Sequence, residues 1–188
     1  AHYRLRRVTL FDFERGTDTA ERMGPTRVTQ AGLLTPSQVK YGMAVVFGLA
    51  AVLGLYLAWI GGWIILVIGI AAIISAIAYT AGPFPLGYYG LGDAFVFLFF
   101  GVVAVAATYY IQAGFVATAA WWMTIPPGLI ITAILIVNNL RDLENDRKAG
   151  KHTLAVRLGE QRTKIEYILC IVVAYLTLIP AAWLNIIP

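Results

Sequence analysis

The stretch VATAAWWMTIPPGLIITAILIVN, residues 116–138, runs without a single charge straight into NLRDLEND, residues 139–146. A hydrocarbon core of about 30 Å takes about 20 helical residues to cross, and the first stretch is long enough. Lipid offers the backbone no hydrogen-bond partner, so helix is the default. Asn138, Asp142 and Asp146 follow at a spacing of four. If the helix continues through them, they share one face. Oxygen donors on one face suit a hard cation such as Mg²⁺, and a Mg²⁺ site ringed by Arg and Lys suits a diphosphate. The plainer alternative is a solvated loop in which Arg141, Arg147 and Lys148 pair with the acids. Carboxylates at the mouth of a membrane helix are costly, however, and mark a functional position by default.

Working outward, four further apolar runs meet the same length requirement, giving five spans near 39–59, 62–80, 94–111, 116–138 and 165–187. None alternates in polarity, which excludes a β-barrel reading. The composition agrees: 60% of residues are hydrophobic, only 13% are charged and the mean hydropathy is +0.76. The expected fold class is therefore an all-α integral membrane protein, one transmembrane helix bundle over residues 1–188. All fourteen Lys and Arg residues fall within 1–40 and 141–164. Most of the acids fall in the same two segments, and Asp93 stands well apart from both. The charge of +4 is thus no nucleic-acid signal. Gly61-Gly62 and residues 112–115 form uncharged turns. Five crossings then place the polar segments 1–38 and 139–164 on one side, and the positive-inside rule makes that side cytoplasmic.

Other features carry smaller expectations. The segment 81–93 is a Gly/Pro-rich loop. Its last residue, Asp93, is read as a helix N-cap. Pro126-Pro127 predicts a kink near the middle of the fourth span, one that could open a cavity. Lys148-Ala149-Gly150-Lys151 has the signature of a helix C-terminus. Cys170 lies alone in an apolar run and reads as a buried, inert thiol. No phosphate-binding Gly-rich P-loop occurs, and His2 and His152 are too few and too far apart for a zinc site. No signal peptide precedes the first polar segment.

In the first polar segment Asp12, Glu14, Asp18 and Glu21 interleave with Arg15, Arg22 and Arg27. The topology brings this second acid–base cluster to the same membrane face. Two such clusters across a bundle mouth could hold several Mg²⁺ ions and clamp a diphosphate leaving group.

Several motifs in register resemble one family. Asn138 to Asp146, continuing through Gly150-Lys151-His152-Thr153-Leu154-Ala155, looks like the second Asp-rich motif of UbiA-type intramembrane prenyltransferases. Within them it is most similar to the 1,4-dihydroxy-2-naphthoate prenyltransferases of menaquinone and phylloquinone synthesis. Phe11-Asp12-Phe13-Glu14-Arg15-Gly16-Thr17-Asp18-Thr19 resembles the end of the first motif, and Gly24 to Gly32 the loop after it. Tyr79-Thr80, Pro85 to Asp93, Phe99-Phe100-Gly101 and Thr108-Tyr109-Tyr110 resemble the central loop and next helix. The likeness covers nearly all of 10–160. It departs at Val8 and Thr9, where the family has Asn-Asp, and at Pro83 and Phe84, in a region where some relatives carry Lys. Family members have more than five spans, so helices before the first motif and after the fifth span are expected outside this chain.

The resemblance implies transfer of a polyprenyl or phytyl group from its diphosphate to 1,4-dihydroxy-2-naphthoate, in the plasma membrane with the site facing the cytoplasm. It implies Mg²⁺ on Asp12, Asp18, Asp142 and Asp146, the three carboxylates Asp12, Asp142 and Asp146 being the catalytic set. Diphosphate charge would be met by Arg22, Arg27 and Lys151, with Asn138 as a further oxygen donor. Tyr79, Tyr109 or Tyr110 would stabilise the allylic cation through their ring faces. The acceptor ring would attack and CO₂ would leave. Two other readings stay open: a non-catalytic lipid-binding or scaffold subunit, and a prenyltransferase for another aromatic acceptor. A transporter ranks last, because its acids should lie at mid-bilayer.

Overall fold

The computed structural model describes residues 33–80 and 86–183, which form helices joined by short turns, with no strand among them. Helix α1, Pro36–Gly61, starts from a capping box: Thr35 Oγ1 accepts from the Gln38 amide at 3.2 Å, and the Thr35 amide donates to Gln38 Oε1 at 2.8 Å. Two orphan donors of the first turn are thereby satisfied. Gly62, at φ 77°, turns the chain into α2, Trp63–Thr80. A 3₁₀ turn, Leu86–Tyr89, leads into α3, Gly92–Ala113, which contains a π-helical stretch over Phe97–Val103. The next span divides into α4, Thr118–Trp122, and α5, Ile125–Arg141. The short helices α6, Leu143–Lys148, and α7, Leu154–Leu158, lead into α8, Glu160–Leu176, and α9, Leu178–Trp183.

Among the described residues four stretches are long and apolar enough to cross a membrane: Ser37–Gly61, Gly92–Ala113, Thr118–Arg141 and Glu160–Trp183. The fifth expected span is shorter, its apolar part being Trp63–Tyr79. The last begins at Glu160, earlier than its apolar run, because one polar turn with a Glu160–Lys164 ion pair at 2.6 Å precedes the hydrophobic residues. Large apolar side chains such as Leu49, Leu53, Trp59, Ile74 and Ile168 face outward. That is what a lipid environment permits and water does not.

The span containing α5 lies at the centre. Of its apolar window 39% is buried, against none of α1's. It packs chiefly on α8 and on the π-helical stretch of α3. Ala133, Ile136, Thr163 and Ala174, each 1% exposed, fill the core. Small residues dominate because dispersion, with no hydrophobic drive between helices, must hold them together at close range. The closest crossing is glycine on glycine: a methyl group on Gly101 would lie 2.6 Å from the Gly128 Cα.

The expected kink at Pro126-Pro127 is corrected. The helix breaks earlier, at Met123-Thr124, and the prolines sit in the first turn of α5. A first-turn proline lacks only an N–H that would have no helical partner. Thr124 marks the restart, its hydroxyl donating to the Trp121 carbonyl at 2.8 Å and its carbonyl accepting from the Gly128 amide at 3.2 Å. Asp93 is also not the cap of α3. That position is Leu91, and Asp93 lies inside the first turn, buried.

Candidate diphosphate site at one end of the bundle

Helix α5 ends at Arg141, and Asp142 adopts φ −91°, ψ 4° before α6 begins. This is the sparsely populated bridge region, where many active-site residues sit. The four-residue hydrogen bonding nevertheless carries through: the Asp142 amide donates to the Asn138 carbonyl at 3.0 Å, and the Asp146 amide to the Asp142 carbonyl at 2.8 Å. The spacing read from the sequence thus survives a break in the helix. Asn138 is exposed, whereas Asp142 is 7% exposed.

Both acids are held by basic neighbours. Arg141 grips Asp142 with two parallel bonds, Nε to Oδ1 and Nη2 to Oδ2, each 3.0 Å. Such a fork is the strong form of a charge-assisted bond. Lys151 reaches Asp146 at 3.6 Å. The C-terminus of α6 explains why. Gly150, at φ 72°, donates to the Arg147 carbonyl at 3.1 Å, and the Lys151 amide donates to the Asp146 carbonyl at 2.9 Å. This is a Schellman cap, whose left-handed position suits glycine. It folds Lys151 back over Asp146. The Lys151 ammonium also lies 4.7 Å from the Tyr88 ring centre, a cation–π contact.

The loop before α3 docks on the chain after α6. The His152 amide donates to the Tyr88 carbonyl at 2.9 Å, and Arg157 Nε to the His152 carbonyl at 3.2 Å. Thr153 then caps α7, accepting from the Val156 amide at 3.4 Å. Tyr79, at the end of α2, enters from the third side. Its ring touches Gly87, and its hydroxyl would lie 2.9 Å from a Cβ on Gly92. The charges of Asp93 and Asp146 both act on its phenol. The structure therefore gathers Tyr79, Asp142, Asp146 and Lys151 at one end of the bundle, with Asn138 one turn away.

Tyr109 and Tyr110 are not brought there. They lie at the other end of α3, about 20 Å or more beyond Asp93 at the helical rise. Tyr109 instead packs edge-on against Phe115, with ring centres 6.0 Å apart. Asp12, Asp18, Arg22 and Arg27 lie outside the described residues. Among the described residues no three His, Cys, Asp or Glu side chains cluster as a metal site. Two residues were missed from the sequence. Glu166, just beyond the polar segment ending at 164, lies in α8 within electrostatic reach of Asp93. Asp93 itself was read as a cap, although one isolated acid at the start of a span was the available signal.

Comparison with known proteins places the chain in a family. The chain is 39% identical over 171 residues to a protein of Haemophilus influenzae named 1,4-dihydroxy-2-naphthoate octaprenyltransferase, covering 88% of this chain and 56% of that protein. It is 40% identical over 153 residues to the protein of the same name from Mycobacterium tuberculosis, covering 81% and 52%. A UbiA prenyltransferase domain-containing protein 1 of Dictyostelium discoideum is 33% identical over 156 residues, covering 80% and 47%. The chain thus spans about half the length of these curated relatives. No solved structure matches it. Residues 9–188 match the UbiA prenyltransferase family, and with these relatives they show that the chain belongs to it.

Proposed function

We propose that this chain takes part in transfer of a polyprenyl or phytyl group from its diphosphate to 1,4-dihydroxy-2-naphthoate, with release of diphosphate and CO₂, in menaquinone or phylloquinone synthesis. The observation that carries the reading is the pair Asp142 and Asp146, both largely buried at the end of the central span, each held by a cation. The relatives' names supply the acceptor.

The donor set fits a divalent cation. Two carboxylates one helical turn apart offer hard oxygen ligands, with the Asn138 amide nearby and Asp12 and Asp18 proposed to complete the set from the first polar segment. Bound Mg²⁺ would supply positive charge to the diphosphate oxygens and so make a better leaving group. The chain's own cations then change partner. Arg141 and Lys151, which pair with Asp142 and Asp146 in the structure, would turn to phosphate oxygens if those carboxylates held a metal ion. Arg22 and Arg27 add to the same charge. The diphosphate end faces the cytoplasm of a bacterial plasma membrane, following the positive-inside rule. The apolar helices house the prenyl tail and keep water from the allylic cation. Tyr79 presents its ring at the same end, where a cation would form.

The test is transfer of a labelled prenyl group to dihydroxynaphthoate by membranes carrying the protein's complete reading frame, with Mg²⁺ and with EDTA. Metal-dependent transfer that Asp142→Asn abolishes is expected. Absence of transfer, or transfer indifferent to chelation, refutes the reading.

A further inference from the structure

Asp93 is unused by the diphosphate site. It is 8% exposed, in the first turn of a membrane-spanning helix. Among the described residues no side chain of another residue donates a hydrogen bond to it and no cation pairs with it. A carboxylate only accepts hydrogen bonds; its own backbone amide reaches this one, and burying it with no cation beside it is expensive. An ionisable group held this way inside a membrane protein marks a ligand or proton path by default.

Its surroundings narrow the ligand. The Tyr79 phenol packs against Gly87 and Gly92, where a Cβ would meet its ring at 3.1 Å and its hydroxyl at 2.9 Å. That phenol feels both Asp93 and Asp146. Asp93, next in the chain to Gly92, and Asp146 of the diphosphate site therefore both lie within electrostatic reach of one phenol. On α8, Glu166 places a second acidic group within electrostatic reach of Asp93. A ligand entering here must bring hydrogen-bond donors, and its own anionic groups must point away. An aromatic hydroxyl meets both conditions.

Resting on the function proposed above, we infer that Asp93 is the acceptor-side catalytic residue, its carboxylate receiving the 1-hydroxyl of the naphthoate ring as hydrogen bond and then as proton. The balance closes. The allylic C–O bond breaks with its electron pair leaving on diphosphate. The ring carbon bearing the carboxylate forms the new C–C bond, C1 becomes a carbonyl, and the hydroxyl proton passes to Asp93. The resulting β-keto carboxylate loses CO₂, its electron pair enters the ring as an enolate, and the enolate oxygen takes the proton back from Asp93. The acid ends as it began, and no outside base is consumed.

The experiment compares wild type, Asp93→Asn and Asp93→Glu in membranes carrying the complete reading frame. Two acceptors are used: dihydroxynaphthoate and its 1-methyl ether. Binding of a non-hydrolysable prenyl thiodiphosphate with Mg²⁺ is measured separately. General-base removal typically costs 10²–10⁴-fold, so Asp93→Asn should lower kcat/KM for the acceptor by at least about 100-fold, with donor-analogue binding changed less than about threefold. Asp93→Glu should restore part of the rate. Wild type should reject the methyl ether by a similar factor, and Asp93→Asn should no longer tell the two acceptors apart. Equal use of both acceptors by the wild type overturns the inference without any variant. So does an Asp93→Asn enzyme with normal turnover, or one that loses donor binding in parallel. No transfer by the wild type overturns the function on which the inference rests, and the inference with it. Transfer that Asp93→Asn leaves unaltered overturns the role of Asp93 alone.

Discussion

Substituting Gly101 by alanine perturbs the site without touching any of its polar groups. The new methyl carbon would lie 2.6 Å from the Gly128 Cα and 2.9 Å from the Thr124 carbonyl oxygen. Both are backbone atoms, so no rotamer change relieves the clash. Carbon atoms pack at about 3.5–4.0 Å, so α3 and α5 must part by about 1 Å. Overpacking of this kind costs about 1–3 kcal/mol. The larger effect is on function. Tyr79 packs against Gly92 at the start of α3, while Asp142 ends α5, so the same separation would misalign the two sides of the proposed site. A 1 Å misplacement can cost about 100-fold in rate. The assay is turnover under saturating donor together with thermal unfolding in detergent. Gly54→Ala serves as the control, because nothing lies within 4 Å of a Cβ there. An alanine at 101 that leaves both turnover and the unfolding temperature at wild-type values refutes the argument that this crossing sets the site.

Three further outcomes are expected. Lys151→Met removes a cation that pairs with Asp146 and that is proposed to give way to metal there and to meet phosphate. Metal affinity without diphosphate should therefore rise, and affinity for the diphosphate itself should fall about tenfold or more, both read by titration calorimetry. Arg141→Lys should weaken diphosphate binding despite keeping the charge, since an ammonium cannot offer a phosphate the two-bond fork that the guanidinium now makes on Asp142; the same titration reads it. Thr163→Val deletes the 2.9 Å bond from the buried Thr163 hydroxyl to the Gly159 carbonyl, and should cost about 1 kcal/mol in unfolding free energy with donor binding unchanged.

How much was legible depended on how local the signal was. The apolar runs gave the spans because bilayer thickness dictates their length. The Asn138–Asp142–Asp146 spacing held because backbone bonds bridge the break at Asp142. Gly150 announced the cap that places Lys151. The restart at Thr124 was not legible, because a proline pair reads equally as a mid-helix kink or a first turn until neighbours fix the helix start. The π-helical stretch was hidden for a similar reason, since it accompanies the Gly101–Gly128 crossing, a contact between residues distant in sequence. Tyr109 and Tyr110 were misplaced although the chain held the answer: sixteen residues past Asp93 along one helix is the opposite end of the bundle. Asp93 lost its cap assignment over a shift of two residues, a distinction that composition does not carry. Glu166 fell outside a polar segment whose border was drawn two residues too early.

The central claim is that Asp142 and Asp146 bind the prenyl donor as a metal–diphosphate complex. Its most direct test is electron paramagnetic resonance of Mn²⁺, standing in for Mg²⁺, titrated into the membrane-bound protein with and without a prenyl thiodiphosphate. Wild type should take up Mn²⁺ weakly alone and at least about tenfold more tightly with the diphosphate, and Asp142→Asn and Asp146→Asn should abolish that gain. Diphosphate binding that needs no metal, or a gain that survives both substitutions, contradicts the claim.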